Sequence, residues 1–254
     1  MPRGAAKLLS KLAPDPEQRW IALLDEADRL IDYDTSAARA VLLEAMTYVE
    51  DTWGEDDVHL IRPLRFIAES FWREHEPLDP NNAKEVECLQ RALAIARRRL
   101  SPDHLEVARL AGELGSHLVI GGLVDAGCEL MIECVEVATK NGSEEDFARY
   151  LSLIALARME QARPVDALPF LERLTLVRER RDASSIGHAL ARYHLGKCLF
   201  AVGRRQDAIA QLELALSIVD AHRAHGKHAT LMNEIMDLIE RVKSGLSADT
   251  TPEP

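Results

Sequence analysis

Residues 195–216 read LGKCLFAVGRRQDAIAQLELAL. Apolar side chains recur at steps of three and four: Leu195 and Leu199, then Ala208, Leu212, Ala215 and Leu216. Gly203 interrupts the run. A step near 3.6 is a helix period, so the stretch predicts two amphipathic helices joined by a tight turn. The pattern recurs upstream. Gly203 to Ala208, continuing through Leu212 and Ala215, matches Gly122 to Gly127 with Met131 and Cys134, and Ala162 to Ala167 with Leu171 and Leu174. In each copy a small residue opens the turn. Another small residue lies in the helix before it, 19 residues ahead of its counterpart in the second helix: Gly115/Cys134, Ala155/Leu174 and Gly196/Ala215.

Two further units lie nearer the start. Ala27 pairs with Ala45 at a spacing of 18, and Ala68 with Ala92 at 24, the longer turn holding Pro77, Pro80 and Asn81-Asn82. From Ala45 the steps between units are 47 to Ala92, 42 to Cys134, 40 to Leu174 and 41 to Ala215. Helix pairs at such a period are expected to stack, because one pair cannot bury its apolar stripe alone. The small residues have a reason too. Antiparallel helices approach closely only where one offers no bulk at the crossing. The stretch Leu231, Ile235, Leu238, Ile239 and Val242, with polar Glu234, Asp237 and Glu240 between, predicts a final helix covering the last pair. Pro63, Pro164 and Pro169 are expected at or near helix starts, where a missing N–H costs little.

These residues resemble the tetratricopeptide repeat (TPR) family. Leu195-Gly196-x-x-Leu199, Ala208, Leu212 and Ala215 follow its L-G-x-x-Y…A-x-x-x-F…A pattern with aliphatic replacements. Steps near 41 point to the longer kinesin-light-chain type. Leu100-Ser-Pro-Asp-His-Leu-Glu-Val-Ala108 is similar to the linker of that type, and Trp53-Gly-Glu-Asp-Asp-Val58 is a looser copy. The resemblance implies an all-α, right-handed α-solenoid of about five TPR-like helix pairs plus a C-terminal capping helix. It covers residues 17–243, between a flexible leader at 1–16 and a disordered tail at 244–254. It also implies a concave groove, lined by the first helix of each pair, that binds partner peptides. The Asn pair with which kinesin-light-chain repeats clamp a peptide backbone is replaced here by Arg65-Phe66, Gly112-Glu113, Ser152-Leu153 and Tyr193-His194. An extended peptide, a helix, a folded domain and a second copy of the chain all stay open as occupants.

The rest of the composition narrows the function. Hydrophobic residues make up 47% of the 254 positions and charged residues 29%, ordinary for a globular chain. The net charge is −11, which disfavours a general nucleic-acid or anionic-membrane binder. No stretch approaches the length of a membrane span, and residues 1–13 lack the uninterrupted apolar core of a secretory signal. Cys88, Cys128, Cys134 and Cys198 form no C-x-x-C pair and are expected reduced, in a cytoplasmic protein.

No phosphate-binding loop, dinucleotide fingerprint, H-E-x-x-H or G-x-S-x-G occurs, so no catalytic residue and no cofactor is assigned. Asp56-Asp57 and Glu144-Glu145 suit helix starts, and the runs Arg97-Arg98-Arg99 and Arg178-Glu-Arg180-Arg181 suit helix ends. His222, His225 and His228 are spaced to share a helical face, but Gly226 breaks the segment. A polar connection is therefore expected there rather than a metal site. His117, His188 and His194 stand singly on predicted helices.

The set that points to a partner is Arg62, Arg109 and Arg149. Each lies six residues before its unit's small residue, so stacked helices would align them as a ladder. Arg65, three residues on from Arg62, is expected on a nearby face, Glu113 among the groove residues, and Tyr193 and Lys197 further down the groove. Arginine suits carboxylate recognition because its fork pairs with both oxygens. The competing expectation is that these arginines pair within the chain, with Glu106 and Glu145 close by. The function expected is a non-catalytic protein-interaction scaffold for a protein or peptide partner of acidic character. One alternative is an inhibitor or immunity-type protein that neutralises a basic partner with its acidic surface. Another is a peptide-sensing regulator, for which residues 1–16 are too few to hold an N-terminal DNA-binding unit.

Overall fold

The computed structural model describes residues 15–74, 83–222 and 228–245. Among them are eleven α-helices, one short 3-10 turn and no β-strand. The chain divides at Leu123/Val124 into two compact units.

The first unit holds α1 (Pro16–Leu30), α2 (Thr35–Trp53), α3 (Ile61–Glu74), α4 (Ala83–Arg99) and α5 (Leu105–Ile120). Each helix packs against the next. Asp15 caps α1 by accepting from the Glu17 N–H, and Asp34 caps α2 by accepting from the Ala37 N–H. Ala27, Ala45, Ala68 and Ala92 are all buried, as close helix crossings require. Leu24, Leu42 and Ile67 fill the space around Ala27, with Trp20, Phe66 and Phe71 closing its edge. A 3-10 turn, Val58–Leu60, precedes α3 and is capped by the Asp57 carboxylate. The equivalent linker before α5 uses His104, whose Nδ1 accepts from the Glu106 N–H at 3.1 Å. The residues of the enlarged turn, Pro77, Pro80, Asn81 and Asn82, lie outside the described residues.

The second unit holds α6 (Val124–Lys140), α7 (Glu144–Glu160), α8 (Pro164–Asp182), α9 (Ile186–Ala201), α10 (Arg205–Ala221) and α11 (Ala229–Ser244). Again each helix packs on the next, and α9 also meets α11. Cys134, Ala155, Leu174, Gly196 and Ala215 are buried. On α11, Ile235, Leu238, Ile239 and Val242 are buried, while Glu234, Asp237 and Glu240 are exposed. The turn-opening residues share one backbone conformation: φ is +85° at Gly122, +57° at Ala162 and +84° at Gly203. After the last, the Arg204 N–H returns to the Leu199 carbonyl at 2.8 Å, a six-residue closure that needs a left-handed residue at the helix end.

Proline placement needs one correction. Pro164 does open α8, but Pro169 lies inside that helix. The carbonyl it leaves without an amide partner is that of Val165, one turn back. Val165 is 70% exposed, so water can satisfy that oxygen.

Candidate functional site

In the first unit the candidate residues lie on α3 and α5, both packed on α4. Arg65 reaches from α3 to α5. Its Nε donates to Glu113 Oε2 at 3.0 Å and its Nη2 to Glu113 Oε1 at 3.2 Å, a two-pronged pair. Its Nη1 donates to Glu106 Oε1 at 3.3 Å. The other Glu106 oxygen sits 3.4 Å from Arg109 Nε. Charge therefore alternates through Glu113, Arg65, Glu106 and Arg109. Burial works against the Arg65 cation, but Glu113 and then Glu106 outweigh it and raise its pKa further. Arg62 is exposed and donates to Asp28 of α1 at 3.1 Å. Its guanidinium lies 5.3 Å from the centre of the Phe66 ring.

In the second unit they lie on α7 and α9. Arg149 is exposed. Its Nη2 donates to the hydroxyl of buried Tyr150 at 2.5 Å, and its guanidinium stands 4.6 Å from that ring's centre. The acids at the start of α7 face α8 instead. Glu144 takes Arg173 and Arg180, and Glu145 takes Arg181 at 2.8 Å. The basic run of α8 thus does more than offset a helix end, and Glu145 is engaged away from Arg149. On α9, the ammonium of exposed Lys197 lies 5.8 Å from the centre of the Tyr193 ring. Tyr193 is half-buried. Burial, then the Glu234 carboxylate bonded to its hydroxyl, push its pKa up. Burial holds the neighbouring His194 below its ordinary value, and Lys197 adds to this against Glu234.

Glu106, expected beside the arginines, joins Arg65 to Arg109. Two contributors escape motif reading: Glu234 anchors Tyr193 from α11, and Leu190 is 41% exposed on α9. Only the second carried a signal, since it lies six residues before Gly196, the register of the arginines.

The remaining sequence candidates resolve locally. The ring of His222 lies 6.5 Å from that of His228, and His225 lies outside the described residues. Among the described residues no three His, Cys, Asp or Glu side chains gather where a metal could bind them. His188 is buried, with Nδ1 2.8 Å from the Ala183 carbonyl and Nε2 accepting from Arg192 Nε at 2.8 Å. His117 lies 3.1 Å from buried Glu85, and burial holds its pKa down. All four cysteines are free thiols, three of them buried. Among the described residues no helix is long and apolar enough to cross a membrane.

No family model and no curated protein matches the chain. Solved structures do. A kinesin light chain protein of TPR-like repeats from Podosopora anserina aligns at 17% identity over 84% of this chain and 100% of that one, with a TM-score of 0.67. RapI in its apo form aligns at 13% identity over 90% of this chain and 83% of that one, also at 0.67. The Rap conjugation gene regulator of plasmid pLS20, solved with a Phr peptide, aligns at 15% identity over 90% of this chain and 62% of that one, at 0.51. These likenesses establish the fold, an all-α array of TPR-type repeats.

Proposed function

We propose that this TPR-type chain is a non-catalytic interaction scaffold of the cytoplasm, and that the exposed first-helix faces within its units receive an acidic peptide or protein segment. The observation that carries the reading is the placement of exposed Arg62, Arg109 and Arg149 at one register of three successive first helices. Arg65 and Glu113 accompany them in the first unit, Tyr193 and Lys197 in the second. Arginine at such a face selects carboxylates over neutral side chains. The Rap regulator's capture of a peptide on a similar fold supports a peptide-sized partner. That likeness also favours a second reading, in which the bound peptide is a signal and the chain a regulator.

The test is a capture experiment from the native lysate, with wild type and the Arg109→Glu/Arg149→Glu variant as baits. A partner held by the first and lost by the second supports the arginine face. Equal capture by both refutes it.

A further inference from the structure

The cations on the first helices have partners of two kinds. In the first unit every candidate arginine already holds a carboxylate: Arg62 holds Asp28, Arg65 holds Glu113 and Glu106, and Arg109 holds Glu106. In the second unit the partners are tyrosines: Arg149 donates to the Tyr150 hydroxyl with its guanidinium 4.6 Å from that ring's centre, and Lys197 lies 5.8 Å from the centre of the Tyr193 ring. We infer that the two sets differ in role: the first-unit arginines are held in ion pairs of the chain itself, Arg62 and Arg65 between helices and Arg109 within α5, and Arg149 and Lys197 accept the carboxylates of a partner segment that also carries apolar side chains. The inference rests on the acidic-partner reading above and locates its anion contacts.

The physical argument is one of exchange. A ligand carboxylate that displaces Glu113 from Arg65 replaces one pair by another and leaves the displaced anion partly buried, so little is gained. A carboxylate that meets Arg149 or Lys197 forms a pair where none existed. Arg149 gives one Nη2 N–H to the neutral Tyr150 hydroxyl, and the face of Tyr193 offers Lys197 no acceptor lone pairs, so the remaining N–H groups stay open to an oxygen. The apolar half of the partner follows from the same helices. Leu153 is 37% exposed one turn on from Arg149, and Leu190 is 41% exposed on the turn before Tyr193. Each cation therefore shares a helix face with an aliphatic side chain open to solvent.

Fluorescence anisotropy on the full chain tests this with a labelled decapeptide of Glu, Asp and Leu and its Gln/Asn counterpart. Wild type is expected to bind the acidic peptide at least tenfold more tightly than the amide peptide. The Arg149→Gln/Lys197→Gln variant is expected to lose tenfold or more for the acidic peptide while keeping the wild-type urea midpoint. Arg65→Gln is expected to lower that midpoint. If the double variant keeps wild-type affinity, the assignment to the second unit is overturned and the acidic-partner reading stands. If wild type does not prefer the acidic peptide, the reading itself falls and takes the assignment with it.

Discussion

Gly196 shows how tightly the crossings are built. A Cβ there would lie 2.7 Å from Leu212 Cγ, 2.8 Å from Leu212 Cδ2 and 3.3 Å from the Ala208 carbonyl oxygen. Leu212 is fully buried, so it has no free space into which to withdraw. Gly196→Ala is therefore expected to cost about 1–3 kcal/mol, read as a lower urea midpoint at unchanged slope. Ala155 fills the equivalent crossing of α7 and α8 with its own Cβ. The thiols sort by the same burial. Cys198 Sγ donates to the Pro164 carbonyl at 3.1 Å, and burial pushes its pKa up to about 11. A thiol held protonated is a poor nucleophile. Ellman's reagent at pH 8 is expected to titrate half-buried Cys88 first and Cys198 only after urea unfolding. Fast reaction of Cys198 in the native chain would contradict its place in the core.

Three hairpin turns use a left-handed residue, and the sequence meets that need unevenly. Gly122 and Gly203 take it without a steric penalty, whereas Ala162 holds φ at +57° with a methyl group in place. The Arg163 N–H still returns to the Arg158 carbonyl at 2.9 Å, so the closure survives the misfit. Ala162→Gly is expected to stabilise the second unit by about 0.5–1 kcal/mol, the relief outweighing the added freedom of the unfolded chain, and thermal denaturation measures it. Pro169 makes the complementary point. Its position suggests a helix start, but α8 begins at Pro164 and carries the second proline on an exposed face. Periodicity locates a helix well. It says less about where the backbone can tolerate a missing donor, because that depends on which carbonyl reaches water.

Across the whole molecule, two half-buried histidines shape the acid response. Burial holds both His117 and His194 below their ordinary values. The unfolded chain therefore binds those protons first as pH falls. Their contribution to stability is complete above an unfolded value of about 6.5 and is lost as the pH drops through and below it. Asp57 acts lower on the scale. Burial raises its pKa, but its bonds from His59 outweigh that, so its contribution is lost only below about pH 4. The urea midpoint is expected to fall between pH 7 and pH 5, and His194→Gln to flatten part of that slope. An unchanged slope in the variant would remove His194 from the account.

Helix class, repeat period and the buried small residues were legible in the chain itself, because each depends on side-chain spacing within one or two helices. The register also made Arg149 one rung of the expected ladder, and Arg149 is exposed. Which cations are neutralised was legible only at short range, where Glu106 stands three residues before Arg109. Arg65 and Glu113 lie 48 positions apart, and Glu145 turns to Arg181 rather than to Arg149 four residues on. Such pairings depend on which hairpins stack and how their side chains reach across the contact. Periodicity sets the faces; packing chooses the partners.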